Sequence, residues 1–352
     1  MKKIVLAFDS FKGCITAKEA CDAAAMGVLS VCPEATVVQM PMSDGGEGLV
    51  KCVCQIIPTQ TISIRVHGPL KEDIMAEYAL SMDGRTAYME MAAASGLTLV
   101  PQDRRNPMVT TTYGVGEMIA DAVRRGCKTI IMGLGGSATC DGGRGMIMAL
   151  RDNDCLNPDC DVIAACDVSN PLFGRNGAAY IFAPQKGATP EQVALLDNHL
   201  RTFARETELA GIASPFLADY PGAGAAGGLG YALLAYLKAE LHSGIDIMLD
   251  LANFDEAIKD ADLVVTGEGK SDEQTQMGKV PHGVLRRCKK LGVPVWLLSG
   301  SIEDTSGILT KSFDFIRSIN DGDNRPISVL LQADVAKENL TKTMKNLKIK
   351  KQ

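Results

Sequence analysis

The stretch GLGGSATCDGGRG, at residues 133–145, is the strongest indicator of this chain's fold. Six of its thirteen residues are glycine, and apolar runs lie on both sides of it. This order predicts a buried strand, a glycine-rich turn and a helix start, with backbone N–H groups around one concavity. The hydroxyls and the carboxylate within the loop suit phosphate and a metal ion. We therefore predict phosphate binding by Gly135, Gly136, Ser137 and Thr139, and metal binding by Asp141. A purely structural turn is the alternative.

Two nucleotide-binding motifs are nearly present in this loop, and neither fits. Gly133, Gly135 and Ala138 have the spacing of the dinucleotide fingerprint. However, the pair Gly142-Gly143 would interrupt the helix that should hold the pyrophosphate. No Gly-Lys-Ser/Thr follows, so the Walker A pattern is absent as well. The loop indicates phosphate without naming a cofactor.

The composition is that of a globular enzyme with two or three domains. The chain has 352 residues, 46% of them hydrophobic, and 35 glycines that cluster beside apolar runs. The net charge of −6 gives no basic field for nucleic acid, which we exclude as a partner. Small molecules are the expected partners, and a homo-oligomer stays open.

Cysteine and hydropathy patterns predict a cytoplasmic, soluble protein. The eleven cysteines are scattered and never spaced C-x-x-C, and only four histidines are present. A zinc site is therefore not expected, and the thiols suit a reducing compartment. The apolar run at the start is too short for a signal peptide, and no window reaches the length of a membrane span.

Periodicity predicts an opening βαβα pattern, followed by several strands in a row without helices between them. The apolar runs Lys3–Phe8 and 35–40 indicate buried strands, and Thr16 with Glu19 forms a capping box before a helix. Three strand-like segments follow at 61–66, 74–80 and 85–91, which predicts a domain boundary near residues 60–66. Later helices are predicted at residues 112–125, 190–208, 231–241 and 330–347.

Glycines and charged side chains recur together where predicted strands end. Five such places occur, at residues 9–13, 44–48, 133–145, 167–171 and 266–272. In an open α/β sheet the carboxyl ends of the strands form the ligand-binding edge. The predicted catalytic residues are Lys12, Asp44, Asp167 and Lys186. Asp9, Ser10 and Lys12 are predicted to bind the substrate. The predicted metal ligands, besides Asp141, are Glu47, Glu268 and Asp272. A solvated lysine or a helix-capping acid is the alternative at several of these positions.

A second glycine-rich string, PGAGAAGGLG at residues 221–230, has no apolar strand before it. The dinucleotide interpretation is therefore poor. Gly224, Gly227 and Gly228 are predicted either to bind phosphate at the start of a helix or to let helices pack closely.

These residue types match phosphoryl transfer. Backbone N–H groups hold phosphate, carboxylates hold Mg²⁺, lysines offset developing charge, and one acid accepts the hydroxyl proton. Physical reasoning alone leads to an enzyme that uses Mg²⁺ and a nucleotide, and it does not name the other substrate.

Several motifs resemble those of the type I glycerate kinases. They are DSFKG (9–13), PMSDGGEG (41–48), EMAAASG (90–96), NPMVTTTYG (106–114), the 133–145 loop, ACDVSNP (165–171), PQKG (184–187), the 221–230 string and TGEG (266–269). They occur in the family's order over about residues 4–300. Departures include Phe8, Cys14, Ser43, Cys140, Ala183 and a short connector at 151–161.

The resemblance implies ATP-dependent phosphorylation of D-glycerate, with 2-phosphoglycerate as the favoured product. It also implies an α/β fold of two domains: a flavodoxin-like parallel domain from residues 1–64 and 289–352, and a larger inserted mixed α/β domain from 65–288. The active site is then expected in the cleft between them.

Several alternatives stay open at this point. The product could be the 3-phospho isomer, or the acceptor another small hydroxy acid. The identity of the catalytic base and the number of metal ions are also open. A more remote alternative, suggested by the two G-x-G strings, is an NAD(P)-dependent oxidoreductase.

Overall fold

The computed structural model describes residues 3–45, 48–276 and 278–346, without the side chains of Gln274 and Gln276. The chain forms two compact units. Unit 1 comprises residues 1–44, 55–57 and 245–352, and unit 2 comprises residues 45–54 and 58–244. Each unit has its own buried apolar cluster.

Unit 1 is built on a sheet of five parallel strands. The order of its strands is that of a flavodoxin-like sheet, because the first strand lies between the second and a strand from the last third of the chain. From one edge to the other the strands are β2 (Thr36–Gln39), β1 (Lys3–Phe8), β9 (Leu263–Gly267), β11 (Val295–Ser299) and β13 (Phe315–Ser318).

The central strands of this sheet are buried because they are apolar throughout. All five residues of β9 are buried, and β1 is buried from Ile4 to Phe8. The register pairs Phe8 with Gly267, so β1 and β9 end side by side. Whatever follows these two strands is therefore brought to the same edge of the sheet.

Helices and one short strand pair complete unit 1. The capping box of Thr16 and Glu19 starts the first helix as predicted. The helices are α1 (Ala17–Val31), α9 (Gly244–Leu251), α10 (Phe254–Ile258), α11 (Val280–Leu291), α12 (Ile308–Ser312), α13 (Ile327–Leu330) and α14 (Ala333–Asn346), and the short pair is β10 (Lys270–Ser271) with β12 (Ser301–Ile302).

Unit 2 is built on a mixed sheet of six strands in sequence order. The first three strands meander antiparallel, and the rest are parallel. The strands are β3 (Thr59–His67), β4 (Asp73–Ser81), β5 (Thr86–Glu90), β6 (Thr129–Gly133), β7 (Asp161–Ala165) and β8 (Glu240–His242). The turn at Asp83-Gly84 joins β4 to β5.

The described residues of unit 2 form seven α-helices. They are α2 (Leu49–Ile56), α3 (Ala92–Ser95), α4 (Tyr113–Arg124), α5 (Arg144–Asp152), α6 (Ala178–Phe182), α7 (Pro190–Leu209) and α8 (Ala225–Leu237). The last residues of α2 fall in unit 1. Helix α5 starts directly after the 133–145 loop, which confirms the order strand, glycine-rich turn, helix.

The predicted fold class, α/β with two domains and a flavodoxin-like parallel sheet, is confirmed. The boundaries differ from the predicted ones. Residues 245–288 belong to unit 1, because β9 pairs between β1 and β11 at the centre of that sheet. Local periodicity could not reveal this, since strand pairing depends on contacts distant in sequence.

The predicted helix at 231–241 differs from α8 (Ala225–Leu237). Ala226, Gly227 and Gly228 have left-handed φ of 51°, 68° and 92°, so regular helical backbone begins only after Gly228. It stops at Leu237, where Lys238 takes a left-handed conformation with φ of 53°. Residues 240–242 then pair with β7 as an edge strand. In the described part of the chain, no helix is long and apolar enough to span a membrane.

Candidate active site

Three carboxylates of unit 1 follow adjacent parallel strands. Asp9 comes directly after β1, Glu268 directly after β9, and Asp44 a few residues after β2. The backbone N–H of Asp9 donates to Gly267 O at 2.9 Å, so the two strand ends are joined. The register thus brings to one sheet edge acids that are far apart in sequence.

The crowding of these acids is visible in the pKa of Asp9. Burial, followed by the charges of Asp44 and Glu268, raises the pKa of the Asp9 carboxyl to about 8. The backbone N–H of Ser10, which donates to Asp9 Oδ1 at 2.6 Å, acts in the opposite direction and does not prevail. Burial and neighbouring negative charges destabilise an ionised carboxylate, so a proton or a bound cation stabilises this acid.

Lys12 lies in a tight turn after β1. The turn is closed by hydrogen bonds between Phe11 and Ile15, and the Lys12 side chain is exposed. Among the described residues it has no ion-pair or hydrogen-bond partner, so its ammonium group is available to an anion. The predicted substrate-binding set Asp9, Ser10 and Lys12 thus lies on one turn.

Glu268 is held in place by two hydroxyls. Its side chain is only 5% exposed, and its Oε1 accepts hydrogen bonds from Ser271 Oγ at 3.0 Å and Thr275 Oγ1 at 2.7 Å. Burial raises the pKa of Glu268, although both hydroxyls and Lys279 act to lower it. Ser271 in turn is bonded to Ser299 at the end of β11.

Lys279 is a candidate that the sequence reasoning missed. Its Nζ lies 3.4 Å from Glu268 Oε2 and 4.0 Å from Asp272 Oδ1, at the N-cap of α11. The lysine therefore brings together two predicted metal ligands and offsets their charge. Its position between Gly278 and an apolar helix start was the available signal.

The glycine-rich segment after β2 is only partly described. Glu47, a predicted metal ligand, lies outside the described residues. Glu90, which was not predicted, accepts hydrogen bonds from Gly48 N at 3.3 Å and Val50 N at 2.8 Å. Its carboxylate therefore satisfies free N–H groups at the start of α2.

In unit 2, Lys186 lies beneath the 133–145 loop. Its side chain is 2% exposed, and its Nζ donates to Ser137 Oγ and Thr139 O, both at 2.7 Å. Burial lowers the pKa of Lys186 to about 8. Lys186, predicted to be catalytic, is thus hydrogen-bonded to the loop, and this geometry favours a role in holding the loop's shape.

The predicted phosphate-binding residues of the loop differ in accessibility. Gly136 is exposed and Gly135 half-buried, whereas Ser137 is nearly buried and Thr139 is fully buried. Thr139 Oγ1 has no hydrogen-bond partner among the described residues. The accessible part of the loop is therefore its glycine backbone.

Asp141 caps two helices. Its Oδ2 accepts hydrogen bonds from Thr112 N, Thr112 Oγ1 and Gly145 N at 2.8–3.1 Å, and its Oδ1 accepts one from Gly143 N at 3.0 Å. These donors lie at the starts of α4 and α5. With four donors on two oxygens, the geometry favours helix capping over metal ligation for Asp141.

The 221–230 turn packs directly on the loop. A Cβ on Gly227 would lie 2.0 Å from Thr139 O, and one on Gly228 would lie 2.9 Å from Gly142 Cα. Gly224 and its neighbours are buried, and Gly142 N donates to Gly227 O at 3.0 Å. Of the two open interpretations, close packing is the one that this geometry favours.

Asp167 follows β7 and is hydrogen-bonded to the segment after β8. Its Oδ1 accepts hydrogen bonds from Ser243 Oγ at 3.0 Å and from Gly244 N at 3.1 Å. The carboxylate is therefore engaged on one oxygen by the segment after β8. Its predicted catalytic role stays a prediction.

The donor set of unit 1 is suited to a hard cation. In phosphotransferases, Mg²⁺ is usually held by one or two carboxylates together with substrate phosphates. Asp9 and Asp44 offer oxygen ligands where negative charge is crowded. No group of three or more metal-ligating side chains is arranged as a complete site in the ranges 3–45, 48–276 and 278–346. These carboxylates therefore fit a metal ion that is also coordinated by phosphate oxygens of the substrate.

Comparisons with known proteins agree over the whole chain. The model of the glycerate kinase family matches residues 4–155 and 152–350. A glycerate kinase of Bacillus cereus is 41% identical over 98% of this chain and 97% of its own, and the glycerate 2-kinase of Escherichia coli K12 is 43% identical over 86% of each. A crystal structure of a Salmonella typhimurium LT2 protein named for glycerate kinase 2 has a TM-score of 0.83 and 37% identity, covering 98% of this chain and 97% of that one.

Proposed function

This chain belongs to the glycerate kinase family and is itself a kinase, and from this premise we propose that it transfers the γ-phosphoryl group of ATP to D-glycerate, giving ADP and 2-phosphoglycerate. The observation that carries the proposal is near-full-length identity of 41–44% to several glycerate kinases. The acids at the sheet edge of unit 1 agree with it chemically.

The choice of the 2-position is supported by one relative, the Escherichia coli protein, which is named a glycerate 2-kinase. Formation of 3-phosphoglycerate and phosphorylation of another small hydroxy acid are kept as outcomes of the test.

The reaction needs an acceptor for the hydroxyl proton. The glycerate hydroxyl oxygen attacks the γ-phosphorus, the bond to the ADP oxygen breaks, and the hydroxyl proton must leave. We assign this proton to the Asp9–Asp44 pair, because burial and the negative charge of Asp44 raise the pKa of Asp9 to about 8. In such a pair the proton belongs to both groups together.

Charge neutralisation is proposed to come from a metal ion and from lysines. Mg²⁺, if held by one carboxylate of the Asp9–Asp44 pair together with the phosphates, would offset the charge that develops on phosphate oxygens, and the other carboxyl of the pair would carry the proton. Lys12, exposed beside these acids, would bind an anionic group, and Lys279 would keep Glu268 and Asp272 in place. Metal ligation by Glu47, Glu268 and Asp272 stays a prediction.

In unit 2 we propose that the exposed backbone of Gly135 and Gly136 contacts phosphate. Lys186 would support this loop from below through Ser137 and Thr139. The expectation that the reaction takes place in a cleft between the two units stays a prediction. So does a cytoplasmic location, which is supported by the absence of disulfides among the eleven cysteines.

The activity can be tested with D-glycerate, MgATP and enolase. Enolase acts on 2-phosphoglycerate alone, so a signal without added mutase is the expected result. A signal only with a mutase would indicate the 3-isomer. Release of ADP with other hydroxy acids but not with glycerate, or tight NAD(P) binding without ATP binding, would overturn the proposal.

The same assay tests the proton acceptor and the metal. Asp44→Asn is expected to lower kcat by about 100-fold or more, with unchanged cooperative unfolding, while Asp334→Asn on α14 serves as an exposed control. Removing Mg²⁺ with a chelator should abolish turnover, and re-addition should restore it. Near-normal turnover by Asp44→Asn would remove that residue from the mechanism.

A further inference from the structure

Unit 2 contains a cavity of about 470 Å³ that none of the predicted site residues lines. It lies between the segment before α4 and the start of α7. Its walls include Arg104, Arg105, Val109, Gly187 and Gln192. The volume is within the range of small-molecule sites, which is about 300–1,000 Å³.

Arg105 is the unusual residue of this cavity. Its Nε is buried and has no hydrogen-bond partner among the described residues. Neither Arg105 nor Arg104 forms an ion pair within the described ranges, although the structure has more than twenty such contacts elsewhere. A buried guanidinium nitrogen is normally hydrogen-bonded, so an unpaired one beside a cavity indicates a missing ligand.

The fold fixes the backbone of Arg105 closely. Gly187 has φ of +95°, and a Cβ at that position would lie 2.3 Å from Arg105 O. On the other side, Asn106 Oδ1 accepts a hydrogen bond from Met108 N at 3.1 Å, which closes the next turn. The backbone of Arg105 is therefore packed against Gly187, the residue that follows the buried Lys186.

The charges around the cavity favour an anion. Two guanidinium groups face one carboxylate, that of Asp103, which leaves an excess of one positive charge. The cavity also borders the start of α7, a helix of 20 residues with a positive N-terminal dipole. Thr189 and Gln192 cap that helix with their side chains, so the guanidinium groups of Arg104 and Arg105 are the donors left for a ligand. Of the two, Arg105 is the one with a buried nitrogen that has no partner among the described residues.

We propose that this cavity binds an oxyanion of one of the two substrates, D-glycerate or ATP, with the guanidinium of Arg105 as its principal partner. The inference rests on the proposed kinase function. A planar guanidinium fork matches a carboxylate and a phosphate equally well, so the ligand is either the carboxylate of glycerate or a phosphate of the nucleotide.

Calorimetric titration of D-glycerate and of MgADP into wild-type protein and Arg105→Met tests this site. The dissociation constant of one of the two ligands should rise by about tenfold or more, as expected when a charge-assisted hydrogen bond is lost. The affected ligand identifies the source of the oxyanion. Arg205→Met is the matched control, because Arg205 is exposed on α7 away from the cavity. Unchanged affinity for both ligands in Arg105→Met would overturn the proposal.

A second variant covers a failure of Arg105→Met to fold. Val109 is 54% exposed and lines the cavity, so Val109→Trp should narrow it while Arg105 itself is retained. The same tenfold loss is expected, and an unchanged affinity would again overturn the site. Wild-type turnover of glycerate decides the proposed function separately. If turnover is absent, inorganic tripolyphosphate titrated into wild type and Arg105→Met tests the cavity alone, and equal affinity would exclude it.

Discussion

The position of Asp9 at the end of β1 and the raised pKa of its carboxyl are directly connected. The sequence places it after an apolar strand, which suffices to predict a polar group at a sheet edge. Its raised pKa, however, depends on burial and on Asp44 and Glu268, which the strand register brings near. Asp9 was predicted only to bind the substrate, and its raised pKa means that it also holds a proton near neutral pH.

The stability of the protein should depend on the titration of Asp9. Since the pKa of Asp9 is raised to about 8 in the folded state, the folded protein keeps a proton that the unfolded chain loses. Stability therefore falls as pH rises from about 4 to about 8 and levels off above. Between about pH 5 and pH 7, wild type should lose about 1–3 kcal/mol more unfolding free energy than Asp9→Asn.

Urea unfolding at the two pH values measures this difference. Asp334→Asn, whose side chain is 98% exposed, should follow the wild-type pH dependence and serves as the control. Parallel pH dependences of wild type and Asp9→Asn would show that Asp9 is ionised throughout and does not hold the proposed proton.

Lys186 and Asp141 illustrate the limit of residue-level prediction. Both were chosen because charged groups beside glycines often bind phosphate or metal. In the structure their polar atoms are engaged by the loop and by two helix starts. The same residue types stabilise a loop or bind a ligand, and only the direction of the side chain separates the two roles.

At the scale of elements, the two glycine-rich stretches form one packed unit. The 133–145 loop was predicted as a turn between strand and helix, and this is confirmed. The 221–230 stretch packs against that loop, with Gly227 in contact with Thr139 O. Its glycines are therefore explained by backbone contact, whereas its sequence alone left phosphate binding equally open.

Gly227→Ala should be far more destabilising than Gly211→Ala. The two glycines have nearly equal φ, +68° and +69°, but a Cβ on Gly211 meets nothing within 4 Å. Gly211→Ala should therefore cost about 1 kcal/mol for backbone strain alone. Gly227→Ala adds a clash with Thr139 O and should cost about 3 kcal/mol or more.

Denaturant unfolding of both variants gives the comparison. Equal losses of unfolding free energy would mean that the loop and the turn can separate without cost, contrary to the packing described. A loss of nucleotide affinity in Gly227→Ala without a loss of stability would instead favour the phosphate-binding interpretation.

At the scale of the whole molecule, each unit has its own core. One apolar cluster lies in unit 2 and another in unit 1, and the single tryptophan, Trp296, packs against the latter. Trp296 also contacts Phe315, with ring centroids 5.3 Å apart. Its fluorescence therefore reports on unit 1, while circular dichroism reports on helices of both units.

We expect the two units to unfold separately. In Gly227→Ala, the urea midpoint seen by circular dichroism should move to lower concentration for the unit 2 part of the signal. The Trp296 midpoint should stay where it is in wild type, because the substitution lies in the other core. Equal shifts of both midpoints would show that the molecule unfolds as one cooperative unit.

The sequence by itself determined the strands, the glycine-rich turns, the α/β class and, through its motifs, the resemblance to glycerate kinases. These depend on local properties such as apolar runs, capping residues and backbone freedom at glycine. Tertiary structure alone decided that β9 joins the first sheet, so that residues 245–288 belong to unit 1. It also decided that Lys186 and Asp141 are hydrogen-bonded within the protein. Lys279 beside two acids, Glu90 at the start of α2 and Arg105 in the cavity were likewise visible only in the structure. Pairing, burial and hydrogen-bond direction arise between residues distant in the chain, and no local pattern encodes them.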